Sequence, residues 1–152
     1  MINEISLDKK CPAVSVDITA PADRVWSVMS DVERWHEWTA SIRRVQRLDE
    51  GPMRIGSRAR VYQPGFPPAL WTVTAFEAGS HFTWISRAPG LLVTARHSVA
   101  SRDGGCRATL ALEFAGMLDG FWAGLTNKVN LRYLHMEAAG LKQRSESPQS
   151  GT

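Results

Sequence analysis

Few residues in this chain are of a type and spacing that could do chemistry, and His97 is the clearest. In "LLVTARHSVAS", Val93, Ala95, His97 and Val99 alternate with Thr94, Arg96 and Ser98. A period of two marks a half-buried strand, so His97 sits on an otherwise apolar face. Two roles fit that placement. One is a neutral core histidine tied to a carbonyl or a water. The other is a hydrogen-bonding or acid/base group inside a pocket. No carboxylate pairs with a histidine at a recognisable spacing. His36, His81, His97 and His135 form no HxxxH or HExxH pattern, and Cys11 and Cys106 belong to no CxxC pair. Neither a metal nor a cofactor is expected from these residues.

Tryptophan is the second signal. The chain has 152 residues and six tryptophans, and "DVERWHEWTASI" places Trp35 and Trp38 on either side of His36. Trp35 continues the apolar stripe of a short helix and is expected in the core. Trp38 follows that helix and is the candidate gate or wall of a pocket. His36 is expected to face solvent.

Composition bounds the possibilities. Hydrophobic residues make up 43% and charged ones 22%, as in ordinary globular domains. The formal net charge of +3 comes from 18 basic and 15 acidic residues. That is too mild for a nucleic-acid partner, and no basic stripe runs among exposed aromatics. No apolar run reaches the length of an integral membrane segment. "MINEISLDKK" lacks the apolar core of a signal peptide, so a cytoplasmic location is expected.

The elements that must position these residues follow from periodicity. "AVSVDITA" alternates as a strand. "PADRVWSVMSD" reads as a short helix opened by Pro21, and a second short helix holds Val32 and Trp35. Six strand-like segments follow: "SIRRVQRL", "SRARVYQ", "ALWTVTAFE", "HFTWISR", "LLVTARHSVAS" and "CRATLALEFAG". The last two are joined by "RDGG", a hairpin signal. From Leu118 onward the period becomes helical. Leu118, Phe121, Trp122, Leu125, Val129 and Met136 fall on one face, and Leu131, Leu134, Ala138 and Leu141 on a second. Asn127 and Asn130 flank the first stripe and are expected to be solvated or backbone-bonded. A helix from Asp119 to Arg144 would be about 39 Å long, enough to cross a whole antiparallel sheet.

The order is α+β, with about seven strands around one long C-terminal helix. The stretches "APADRVWSVMSDVERWHEW", "GSRARV", "LWTVTAFEAGSHFTW", "PGLLVTARHSVASRDGG" and "LRYLHMEAAGLKQRSE" carry a resemblance to a known family. The chain resembles the polyketide cyclase/dehydrase and lipid-transport-like proteins of the START-like (SRPBCC) superfamily. That resemblance implies the helix-grip fold over a single domain, residues 1–146, with a disordered tail at 147–152. It also implies a cavity between the sheet and the long helix, and a sheet order that pairs the first and last of these strands. Cys11 and Cys106 would then lie at opposite ends of that pair, as free thiols.

Within such a cavity, alternation turns Ala59, Val61, Trp71, Val73, Phe82, Trp84, Val93, Ala95, His97 and Leu112 inward. Trp122 and Leu125 are expected to line it from the helix. Tyr133 fits either pocket or core. Arg87 has the wrong parity to face inward unless a bulge intervenes. A cavity with these walls suits a hydrophobic, aromatic or polycyclic ligand held by a carrier or sensor. The alternative is a polyketide cyclase/dehydratase-like enzyme with His97 as its acid/base group.

Overall fold

The computed structural model describes residues 2–148. Eight strands form one antiparallel sheet: β1 (Ile2–Ser6), β2 (Ala13–Ile18), β3 (Arg44–Arg47), β4 (Arg58–Tyr62), β5 (Ala69–Glu77), β6 (His81–Ala88), β7 (Leu91–Arg102) and β8 (Gly105–Ala115). Helix α1 (Ala22–Ser30) and a short 3-10 helix (Val32–Glu37) follow β2, and the long helix α2 (Asp119–Glu146) closes the fold. The sheet order is β1-β2-β8-β7-β6-β5-β4-β3. Strands β3 to β8 make a meander, and β2 joins its far edge by pairing with β8. Of the expected tail, residues 149–152 lie outside the described residues.

The sheet therefore has eight strands, not seven. The additional strand is β1, which pairs antiparallel with β2. Its sequence, "INEIS", is mostly exposed and carries no apolar alternation. Edge pairing through the backbone alone leaves no side-chain pattern to read.

The β7–β8 hairpin turns at Asp103-Gly104, where Gly104 has φ +80°. Only glycine takes that conformation without steric cost, so "DGG" sets the register of the longest pair in the sheet. Ala95 then opposes Leu112, and His97 opposes Leu110. In β5 the register shifts between Val73 and Ala75. This bulge at Thr74 changes the parity of the strand, so Trp71, Val73 and then Phe76 point the same way.

Helix α2 packs chiefly on β2, β8 and α1. Leu134, Ala138 and Leu141 are buried there against a core that includes Val14, Val16, Val25, Met29 and Phe82. Gly140 permits a close approach: a Cβ at that position would stand 2.0 Å from the Trp38 carbonyl oxygen. Cys106, buried, opposes Ile18 at one end of the β2–β8 pair, while Cys11 is exposed beyond the other end, and both are free. None of the described helices is long and apolar enough to cross a membrane.

Candidate ligand cavity

Between the concave side of the sheet and α2 lies a cavity of about 420 Å³. The sheet supplies one wall through Val61, Trp71, Trp84, Val93, Leu112 and Phe114, with His97 among them. Alternation on five paired strands brings these side chains to one face. The helix supplies the other wall through Trp122, Thr126, Asn130, Tyr133, Leu134 and Glu137. Their spacings of three and four residues form one continuous stripe along α2. Trp35 and Ile42 border the cavity too, as do Phe66 to Pro68 from the loop entering β5 and Ala69 and Leu70 at its start.

Seven of the expected wall residues therefore line this space: Val61, Trp71, Trp84, Val93, His97, Leu112 and Trp122. Six do not. Phe82 is 0% exposed, because its ring is covered on one face by His97 at 4.4 Å and on other sides by Trp26, Trp35 and Trp84. Ala95 is buried in the core with too short a side chain to reach the cavity. Ala59 and Val73 border, with Val32 and Met53, a crevice that has no room for a water molecule. Leu125 is 66% exposed. At about 100° per residue it falls on the order of 115° from the centre of the inward stripe on α2. Phe121, from the same apolar set, is exposed for the same reason.

The sixth is Trp38; Trp35 is a core residue as expected, 4% exposed, but it also takes the place at the cavity expected of Trp38. Trp38 rests on the Gly140 backbone and packs edge-on against Trp35 at 6.1 Å. Trp35 is the one that borders the cavity, with Nε1 donating to the Met29 carbonyl at 3.0 Å. Its ring also meets Trp84 at 5.5 Å and His97 at 5.3 Å. A short helix shows one face to the core. That face is here also the end wall of the cavity, which helical periodicity alone does not distinguish.

His97 is 7% exposed. Burial pushes its pKa down to about 4, against the pull of a hydrogen bond with the Phe82 backbone. Its Nδ1 is buried without a partner. The ring is thus neutral near pH 7 and offers an unused nitrogen at the cavity's inner end.

Glu137 is the functional candidate that sequence reading missed. Its carboxyl borders the cavity, where burial pushes the pKa up to about 7 and a hydrogen bond from Ser41 opposes the rise. Ser41 Oγ donates to Oε2 at 3.0 Å and lies 2.8 Å from Thr39 Oγ1. No cation pairs with Glu137 among the described residues. The interior holds two readily titratable groups, not the single one expected. Glu137 hides in "LHMEAAGL" because it looks like any charged residue between apolar ones. Its signal is the register with Trp122, Thr126, Asn130 and Tyr133.

Asn130 Nδ2 donates to Thr126 Oγ1 at 2.8 Å, and Thr126 Oγ1 donates to the Trp122 carbonyl at 2.7 Å. Asn130 is therefore held by a side chain, and Asn127 lies off the cavity. Tyr133 is a wall residue, its hydroxyl donating to the Pro64 carbonyl at 2.5 Å. Trp122 Nε1 is buried with no acceptor. Arg87 keeps the outward parity of β6, whose pairing with β7 is regular, and reaches the rim of the cavity only because it sits near the strand end. Among the described residues, no group of three or more histidine, cysteine or acidic side chains could hold a metal ion.

This sheet wrapped on one helix, with a cavity between them, is the helix-grip architecture. The sequence model of the polyketide cyclase/dehydrase and lipid transport family matches residues 13–146, and the chain belongs to that family. The Zhui aromatase/cyclase of a Streptomyces species superposes with a TM-score of 0.74 over 100% of both chains, at 17% identity. A START superfamily protein from Mycobacterium smegmatis does so with a TM-score of 0.69, covering 90% of this chain and 97% of that one, also at 17% identity. The di-domain ARO/CYC StfQ of the steffimycin biosynthetic pathway matches over 90% of this chain and 50% of its own, with a TM-score of 0.71 and 10% identity. At such identities the likeness is one of fold. No curated protein matches the chain in sequence.

Proposed function

We propose that this protein binds a hydrophobic, aromatic or polycyclic small molecule in the internal cavity, as a carrier or sensor. The observation that supports this most is the cavity itself: about 420 Å³, walled by Trp35, Trp71, Trp84, Phe114 and Trp122. A volume of that size suits a small organic ligand, and apolar burial contributes roughly 25 cal/mol per Å² before the costs of binding. Native mass spectrometry of gently purified protein is expected to show a bound small molecule. Tryptophan fluorescence is expected to be quenched when a polycyclic aromatic such as anthracene is added. Absence of both a retained molecule and any quenching would end this reading.

One observation favours a second reading, an enzyme like the aromatase/cyclases. Two groups bordering the same cavity have pKa values pushed apart by burial, His97 down to about 4 and Glu137 up to about 7. Such pairs often divide acid and base roles. His97→Asn keeps a hydrogen-bonding side chain but moves no proton near pH 7. In the carrier reading it weakens binding of the retained molecule by only about 1 kcal/mol. In the enzyme reading turnover falls by roughly 10²–10⁴-fold while binding survives.

A further inference from the structure

The polar atoms that the cavity leaves without partners are not distributed evenly, and their distribution restricts the ligand. The Trp35 ring lies tilted at 5.3 Å from His97 and packs edge-on against Trp38, which in turn rests on α2 at Gly140, about one turn beyond Glu137. His97 and Glu137 thus belong to the same end of the cavity. That end offers acceptors. Nδ1 of His97 is buried without a partner, and the neutral ring protonated on Nε2 presents it as a lone pair. The Glu137 carboxyl receives one hydrogen bond, from Ser41, and no cation. The unused donor, Trp122 Nε1, lies 15 residues earlier on α2, roughly 22 Å away at ~1.5 Å per residue.

A buried carboxyl without a counter-charge is costly unless something supplies that charge. The walls around it are aromatic faces, which attract cations through their quadrupoles. Resting on the reading of the cavity as a ligand site, the geometry points to an aromatic ligand that carries a protonated amine, seated with its ammonium group on Glu137 and its rings between Trp35, Trp71 and Trp84. The chemistry is that of a cation recognised by a carboxylate within an aromatic enclosure. Ser41 positions the carboxylate by donating to it, and the Thr39 hydroxyl, 2.8 Å from Ser41 Oγ, holds Ser41 from behind. Arg87 at the rim carries like charge and disfavours an ammonium group bound beside it.

The other titratable or charged groups near Glu137 do not supply its counter-charge. His97 on β7 is neutral, Tyr133 on α2 is bonded to the Pro64 carbonyl, and Arg144 on α2 is engaged by Glu37 at 2.6 Å.

The test uses three probes that share one ring system: naphthylethylamine, naphthylethanol and naphthylpropionate. Titration calorimetry at pH 8 is expected to rank the amine at least about tenfold tighter than the alcohol, as a charge-assisted hydrogen bond should, with the propionate weakest. Amine affinity is expected to rise from about pH 6 to about pH 8 as Glu137 ionises through its pKa near 7, while the amine stays protonated. Glu137→Gln is expected to bring amine and alcohol level and to abolish that pH dependence, with alcohol binding retained as evidence of an intact fold. Ser41→Ala, which leaves the carboxyl in place, is expected to move the rise in amine affinity to higher pH.

Alcohol binding equal to or tighter than amine binding in the parent protein would overturn the amine assignment and leave the cavity reading standing. So would a preference for the amine that survives in Glu137→Gln. If none of the three probes binds, the cavity reading and the amine assignment fall together.

Discussion

The two walls of the cavity differ in kind. The sheet wall is mostly apolar and deeply packed: Trp84 is 3% exposed, Phe82 behind it is sealed, and His97 is stacked on Phe82, with Ser86 and the rim residue Arg87 as its other polar members. The helix wall carries a stripe of polar atoms: the Trp122 indole N–H, the Thr126–Asn130 bond and the Glu137 carboxyl. A sheet can line a cavity only with side chains that its neighbours on the same face tolerate, and in β6, β7 and β8 those neighbours are core. A helix packed along one side keeps a second side free, and α2 turns that side to the cavity. The sheet wall therefore serves stability first, and the helix wall selects what may be bound.

This contrast is sharpened by substitution on the sheet side first. Phe82→Ala removes a fully buried ring from beneath the wall and is expected to cost about 3–5 kcal/mol, the range for large core aromatics. Denaturant unfolding measures it. Trp122→Ala, on the half-buried helix wall, is expected to cost much less. Equal losses would erase the distinction between the walls.

The second prediction uses the opposite pKa shifts of the two walls. Folded Glu137 holds its proton up to about pH 7, whereas its ordinary value is 4.5. In that interval the unfolded chain binds fewer protons, so this group lowers stability as pH rises from about 4.5 to about 7. Folded His97 stays neutral down to about pH 4 against an ordinary value of 6.5. There the unfolded chain binds more protons, so this group raises stability as pH climbs from about 4 to about 6.5. Each effect is on the order of 3 kcal/mol at most, and they nearly cancel. Glu137→Gln is expected to reveal stability that rises with pH over this window. His97→Asn is expected to reveal stability that falls. Parallel slopes in the two variants, read from chemical denaturation at several pH values, would refute the opposition.

The smallest expected effect on stability is at Trp71, which belongs to the sheet wall yet stays half-buried beside Trp84 at 5.7 Å. Trp71→Ala is expected to cost only about 1–2 kcal/mol, below the range for sealed aromatics, while weakening the binding of a polycyclic probe more than Phe82→Ala does. A large fall in melting temperature with unchanged probe binding would place Trp71 in the core instead.

The sequence by itself determined the α+β order, the hairpin at "DGG", the inward phase of β4, β6, β7 and β8, and the position of His97 among apolar neighbours. These are local matters: a strand has period two, a hairpin turn demands particular residues, and each can be read within about ten positions. Strand β1 escaped that reading because edge pairing is made by backbone groups that every residue has. The parity change at Thr74 escaped it because a bulge is set by the partner strand. Only the tertiary structure decided which residues of the inward set meet open space and which are sealed. It separated Trp71 from Phe82, placed core Trp35 rather than Trp38 at the cavity, turned Leu125 outward, and brought Glu137 against Ser41 across 96 positions of chain. The reason is physical. A helix with two apolar faces has no preferred rotation until it is docked. Gly140, pressed against the Trp38 carbonyl, fixes the rotation of α2 that carries Trp122, Asn130 and Glu137 to the cavity and leaves Phe121 and Leu125 in water.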